Sequence, residues 1–344
     1  MPLRIMILNA TGLLVLTLLL VGGQTLARPL DDASPPGRLI SVGSFRLHIH
    51  CTGRGTPTVV LDSGLGGTSL NWALVQPRIA PFARVCAYDR AGYGWSDPGP
   101  GPRTSERLAR ELHRLLATAG LPGPFLLVGH SLGGINVRLF AHLFPTDTAG
   151  VVLVDASSGG QLKRFTRQLP DTGRPRQLVI LSPPRVPKGM PPALAELATR
   201  LVATPAARRA IAGEISSMRT SLRQADAAPI PEGVPLVVVS RGRRVWPLTP
   251  GGDRLESAWD ELQSDLAARH YPAVHIIAAR SGHQIPLEQP EAVLNAVRTA
   301  LEMSRATSSS LGVAAAIWPN TVEHCEEISC TVPLPVNEPA GPRP

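Results

Sequence analysis

Short unbroken apolar runs alternate along this chain with longer stretches in which apolar residues recur every three or four positions. The runs Thr58–Leu61, Arg84–Tyr88, Phe125–Val128, Gly150–Val154, Pro235–Val239 and Ala273–Ala278 have the length and continuity of strands buried on both faces. Leu39–Val42 and Phe45–His50 alternate instead around Gly43-Ser44, which predicts a hairpin. Leu108, Leu112, Leu115 and Leu116 lie on one helical face, as do Ile135, Leu139, Leu143 and Phe144. Leu255–Leu266 reads as a further helix, and Pro290 opens a closing helix whose buried face is Val293, Leu294, Val297 and Leu301. Strands and helices alternate, so the fold class is α/β.

The alternation is interrupted from Ala156 to Val234. Leu194, Leu197, Ala198 and Leu201 make one apolar face there, and Ile211, Ile215, Met218 and Leu222 another, with Pro-rich connections around them. About 79 residues is far longer than an ordinary crossover, and a helical lid over a site accounts better for it. This segment carries 12 Lys and Arg against 5 Asp and Glu, an excess that favours an anionic substrate or surface.

One stretch organises the rest. In Pro124–Gly134, PFLLVGHSLGG, a buried-type run stops at a serine between glycines, and Gly129, His130, Ser131, Leu132 and Gly133 fit G-x-S-x-G. That pattern is a nucleophile elbow, a tight strand-to-helix turn in which flanking residues without a Cβ relieve crowding. A serine hydroxyl needs a positioned base, and the base needs a carboxylate. Of nine histidines only His283 lies in a Ser-Gly-His loop after the last strand, where the chain order Ser, acid, His requires it. His130 lies within the elbow and is expected to point away from the serine; His48, His50, His113, His142, His270, His275 and His324 read as packed or solvated. The loop Asp62-Ser63-Gly64-Leu65-Gly66-Gly67 lacks phosphate-loop spacing, but its glycines let a backbone approach an oxyanion closely. Asp89–Asp97, DRAGYGWSD, reads as a structural turn in which Tyr93 and Trp95 could wall a pocket.

With 344 residues and 43% hydrophobic content the chain can bury a sizeable core. Its net charge of +8 is dispersed, with no basic stripe interleaved with aromatics, which argues against nucleic acid as a partner. Residues 1–27 open with Arg4 and an apolar run from Ile5 to Val21, followed by small residues. As a helix these seventeen residues span about 26 Å, so cleaved signal and uncleaved anchor both remain open, with cleavage and export favoured. The protein is therefore expected outside the membrane, secreted or anchored to its outer face, and membrane association would run through this segment. Residues 28–37 read as a linker and 306–344 as a Pro-containing tail that carries Cys325 and Cys330.

GHSLGG, DSGLGG after an early strand, DRAGYGWSD, VVLVDAS and SGH, in this order, resemble the α/β-hydrolase superfamily from about Arg38 to Arg305, and most closely its serine esterase and lipase-like members with a helical cap. The resemblance implies an eight-stranded, mostly parallel sheet with flanking helices, with core parts 38–155 and 235–305 and a helical lid, 156–234, inserted after the sixth strand. It implies Ser131 as nucleophile, His283 as base, and the N–H groups of Leu65 and Leu132 as the oxyanion hole. Many relatives have His-Gly where this chain has Ser63-Gly64, so the histidine that often braces that loop is absent. The superfamily's commoner acid follows the next strand, but Val237–Val245 offers none, and Asp155, 24 residues after Ser131, ends the strand used by other members. Asp155 is the expected acid and Asp253 the alternative; Glu256 and Asp260 fall on a helix with surface spacing. Dehalogenases and epoxide hydrolases of this superfamily place Asp where this chain has Ser131. The same resemblance makes the strands of Cys51 and Cys86 neighbours, implying a Cys51–Cys86 disulfide with Cys325–Cys330 as a second pair. The expected activity is cleavage of a small, apolar or anionic carboxylic ester through an acyl-enzyme, with no cofactor and no metal. An aminopeptidase-type hydrolase and a non-catalytic ligand-binding module are the alternatives.

Overall fold

Val59, Leu61, Leu126, Val128, Val152, Val154, Val237 and Val239 face one side of the sheet, while Val60, Leu127, Val151, Leu153 and Val238 face the other. Both sets are fully buried, which is why these strands show no polar alternation. The computed structural model describes residues 35–168, 190–309 and 321–325. Residues 1–27, expected as a targeting segment, and Cys330, expected to pair with Cys325, lie outside the described residues.

In chain order the elements are β1 (Arg38–Ser41), β2 (Arg46–Thr52), β3 (Thr58–Asp62), β4 (Val85–Tyr88), helix α1 (Ser105–Thr118), β5 (Phe125–His130) and α2 (Leu132–Leu143). Then follow β6 (Thr148–Val154), α3 (Gly160–Gln168), α4 (Pro192–Val202), α5 (Pro205–Ala227), β7 (Leu236–Arg241), α6 (Pro250–Ala268), β8 (Ala273–Ala278), α7 (Pro290–Ser309) and β9 (Thr321–Cys325). The sheet order is β1-β2-β4-β3-β5-β6-β7-β8-β9. β2 runs antiparallel to β1 and β4, and every other pairing is parallel.

The first eight strands are those expected. The ninth comes from the tail and pairs with β8, and α7 continues to Ser309, so the domain extends past the expected boundary at residue 305. Cys51 and Cys86 stand opposite each other on β2 and β4 and are joined by a disulfide. α1 and α2 cover one sheet face through Leu112, Leu115, Leu116, Ile135 and Phe140; α7 covers the other through Val293, Leu294, Val297 and Leu301.

Between β6 and β7 the described residues form α3, α4 and α5 with irregular connections. α4 buries Ala198 and Leu201 against Leu70 and Leu287, as its apolar stripe predicts. α5 differs. Met218 and Leu222 are buried, but Ile215 is 38% exposed, and the inward face runs Ala207, Ala210, Glu214, Ser217, Ser221 and Ala225. The buried face keeps Met218 and Leu222 but otherwise runs through small residues and one carboxylate rather than through Ile215.

Candidate active site

β5 ends at His130, and Ser131 follows with φ 54° and ψ −117° at the N-terminus of α2. This is a conformation that L-residues rarely adopt, at a cost of about 1–3 kcal/mol. Surrounding backbone holds it: Ser131 N–H donates to Val154 O at 3.1 Å, and Ser131 O accepts N–H from Gly134 and Ser157, each at 3.0 Å. The flanking glycines are sterically required. A Cβ on Gly129 would lie 2.4 Å from Gly133 O, and one on Gly133 would lie 2.3 Å from Asp62 O.

Asp155 follows β6 with φ 41°, so two adjacent strands each end on a non-glycine residue with positive φ. The β5–β6 ladder pairs His130 with Val154, which brings Ser131 and Asp155 out at one end of the sheet. His283, in the loop after β8, reaches both. Its Nδ1 lies 2.6 Å from Asp155 Oδ2 and its Nε2 lies 3.1 Å from Ser131 Oγ. The ring is 11% exposed and the carboxylate fully buried.

Asp155 is embedded in donors. Trp259 Nε1–H donates to Oδ1 at 2.8 Å, and Arg241 donates from Nη1 to Oδ2 at 2.9 Å. Burial alone would raise this carboxyl, but Arg241, His283 and Trp259 outweigh burial and hold it well below the usual carboxylate range. Arg241 is itself stacked against the Trp246 and Trp259 rings, 4.8 and 4.9 Å from their centroids, and donates to Glu256 Oε1 at 2.8 Å. Glu256, expected on the surface, also accepts the Val245 and Trp246 N–H groups. Asp253 is not in a loop and not at the site. It lies in the first turn of α6, capped by Thr249, with its carboxylate paired to Arg244 at 2.7 Å on the surface.

The His130 ring packs against His283, a use that the sequence did not reveal. Nε2 lies 2.7 Å from the backbone carbonyl of His283 and the two rings are 4.8 Å apart. Burial, reinforced by His283, lowers the His130 pKa to about 3, so the ring is neutral and donates Nε2–H to that carbonyl. The loop that carries His283 is thus tied to the turn that carries Ser131.

The Asp62–Gly67 loop passes over Ser131: a Cβ on Gly64 would lie 3.1 Å from Ser131 Cβ. Gly67 N–H donates to Gly64 O at 3.0 Å, and Gly66 has φ 74°, which together make a type II turn with half-buried Leu65 at its first corner. Leu132, the first residue of α2, is buried beside the serine. Tyr93 serves the structural turn rather than a pocket wall: it is fully buried, with its hydroxyl donating to Glu214 Oε2 at 2.7 Å. Trp95 packs beside His48 and the α4 cluster. Among the described residues no group of three or more His, Cys, Asp or Glu is placed to hold a metal ion.

Arg90, Glu214, Arg241 and Trp259 carry much of this architecture and were not singled out from sequence. Only Arg241 left a trace: a cation ends the strand where an acid is commoner.

A family model for the alpha/beta hydrolase family matches residues 59–296. Among curated proteins, the Hormonema carpetanum protein named "Probable transporter efuK" is 33% identical over 143 residues, covering 39% of this chain and 20% of that protein. An uncharacterized Bacillus subtilis protein, YqjL, is 26% identical over 71% of this chain and 83% of its own length. The chain spans between about a fifth and a third of the length of the first curated relatives it matches. Among solved structures, a thermophilic esterase from Thermogutta terrifontis superposes with a TM-score of 0.58 at 21% identity, covering 79% of this chain and 99% of the other, a likeness of fold.

Proposed function

The chain belongs to the alpha/beta hydrolase family, and we propose that it is a serine hydrolase that cleaves a carboxylic ester through an acyl-enzyme intermediate. The observation that carries this reading is the unbroken hydrogen-bond chain from Asp155 Oδ2 through His283 to Ser131 Oγ, at 2.6 and 3.1 Å. Ionised Asp155 accepts Nδ1–H and leaves Nε2 free to take the serine proton. Ser131 Oγ then attacks the ester carbonyl. The oxyanion is held by the N–H groups of Leu132 and Leu65, each worth about 2.7–4 kcal/mol in such a role. Collapse expels the alcohol, which takes the proton from His283, and water, activated by the same ring, releases the acid.

A hydroxyl nucleophile argues for acyl transfer over epoxide or haloalkane opening, where relatives use a carboxylate at this position. The Cys51–Cys86 disulfide supports an exported protein in an oxidising compartment. A fluorophosphonate probe together with a panel of nitrophenyl esters tests the reading. Labelling and turnover are expected in the wild type and absent in Ser131→Ala. If neither depends on Ser131, the enzyme reading fails and a ligand-binding module of the same fold takes its place.

A further inference from the structure

All five N–H donors of Arg90, buried to 3% exposure, are used. Nη1 donates to Asp62 Oδ1 at 2.8 Å and to Ser63 O at 2.5 Å. Nη2 donates to Gly64 O at 2.8 Å and Glu214 Oε2 at 3.1 Å, and Nε donates to Glu214 Oε1 at 2.9 Å. The guanidinium therefore joins the end of β3, two consecutive carbonyls of the loop over Ser131, and a carboxylate from the inserted helix α5. Only a planar fork with five donors spans these partners; the point charge of lysine does not.

Planarity gives the contact a direction. The peptide between Gly64 and Leu65 is trans, so its C=O and N–H point in opposite senses. Pinning Gly64 O on Arg90 and on Gly67 N–H turns Leu65 N–H the other way. Gly64 itself stands against Ser131 Cβ. The Tyr93 hydroxyl donates to the same Glu214 carboxylate at 2.7 Å, and Arg103 Nη2 lies 3.5 Å from it.

We propose that Arg90 and Glu214 are positioning residues for the oxyanion hole: Glu214, supplied by the cap, orients Arg90, and Arg90 fixes the peptide that presents Leu65 N–H. In this chain the pair takes the place of the histidine that braces the loop in many relatives. The inserted segment is then part of the catalytic geometry as well as a cover. The assignment rests on the ester-cleaving reading above, in which Leu65 N–H contacts the oxyanion.

The test uses Arg90→Lys and Glu214→Gln in the full chain, the second keeping the shape of the carboxylate. Both are expected to lower kcat about ten- to a hundredfold, short of the 10²–10³-fold loss for deleting one donor outright, while KM stays within about twofold. A trifluoromethyl ketone, which forms a tetrahedral oxyanion adduct, should lose affinity in parallel with kcat; the product carboxylate should not. A folded Glu214→Gln or Arg90→Lys protein with wild-type kcat and unchanged ketone affinity overturns the assignment. Amide hydrogen exchange across residues 62–70 supplies a readout that needs no turnover: faster exchange in both variants is expected, and wild-type protection in both overturns the proposal. Absence of Ser131-dependent turnover in the wild type refutes the ester reading instead, and exchange still decides whether Arg90 holds the loop.

Discussion

Arg241 Nη1 and His283 Nδ1 share one acceptor, Asp155 Oδ2, at 2.9 and 2.6 Å. The cation stands at the end of β7, the strand after which an acid is commoner, and the acid stands one strand over, at the end of β6. The carboxylate and its counter-ion thus occupy neighbouring strand ends, and Trp246 and Trp259 shield the pair from water.

Asp155→Asn keeps the shape but offers His283 the wrong partner. Turnover is expected to fall by orders of magnitude, on the order of 10⁴-fold as in serine proteases. Asp253→Asn, which only releases Arg244 on the surface, should stay near wild type. Steady-state kinetics of the two variants decide between the two carboxylates; an inactive, folded Asp253→Asn beside an active Asp155→Asn would reverse the assignment.

The depressed Asp155 carboxyl carries a stability consequence. Because its folded pKa lies below the unfolded value near 3.9, its contribution is complete above that value and is lost as pH falls through the folded pKa. Arg241→Gln removes the opposing charge and leaves the desolvation, so the folded pKa rises. Acid unfolding followed by circular dichroism should move to higher pH, by on the order of one unit or more.

His130 acts in a different window. It is neutral when folded, with a pKa of about 3 set first by burial, while the unfolded imidazole titrates near 6.5. Between these values the unfolded chain binds the extra proton, so stability rises with pH, by up to about 1.4 kcal/mol per unit. His130→Gln should flatten the rise of the melting temperature between about pH 4 and 6.5 in calorimetry. An unchanged slope would show that His130 is not the group responsible.

Two glycine substitutions separate steric need from flexibility. Gly133→Ala places a Cβ 2.3 Å from the carbonyl oxygen of Asp62 and should cost several kcal/mol, about 3 or more, or prevent folding. A Cβ at Gly251, in the first turn of α6, meets nothing within 4 Å, so Gly251→Ala should be neutral or slightly stabilising in urea unfolding.

Three of the insert's basic residues, Lys163, Arg164 and Arg167, line a cavity of about 640 Å³ together with Arg138 and Arg269 from outside the insert, against Asp226 and Asp265; Ser131, Asp155 and His283 are not among its lining residues. An anionic ester should be turned over with higher kcat/KM than its neutral counterpart at low ionic strength, and the advantage should shrink as salt rises. A preference independent of salt would count against electrostatic steering.

What was legible in the sequence was what local pattern dictates. Runs such as Phe125–Val128 could only be buried strands, the glycines around Ser131 announced a crowded turn, and the missing acid after Val239 pointed to Asp155. Features set by distant partners were not legible. Glu214 sits on a helix whose apolar residues suggested a different inward face, and nothing near it in sequence foretells Arg90, 124 residues away. β9 eluded the reading because five polar-leaning residues at a sheet edge need no hydrophobic period. Pro-Gly-Gly ahead of Asp253 disguises a helix start that Thr249 caps.

Ser131 and Asp155 issue from adjacent strands in the middle of the sheet, so their separation is as stiff as the ladder beneath them. His283 rides on a loop moored by His130 on its carbonyl, Glu288 on the Gly282 N–H and Arg243 N–H on the Ser281 carbonyl, rather than by a strand ladder. Warming should therefore disable this protein in two stages. His283 swings out of line while Ser131 and Asp155 keep their places, so the proposed activity should fade below the temperature at which the fold melts and return on cooling.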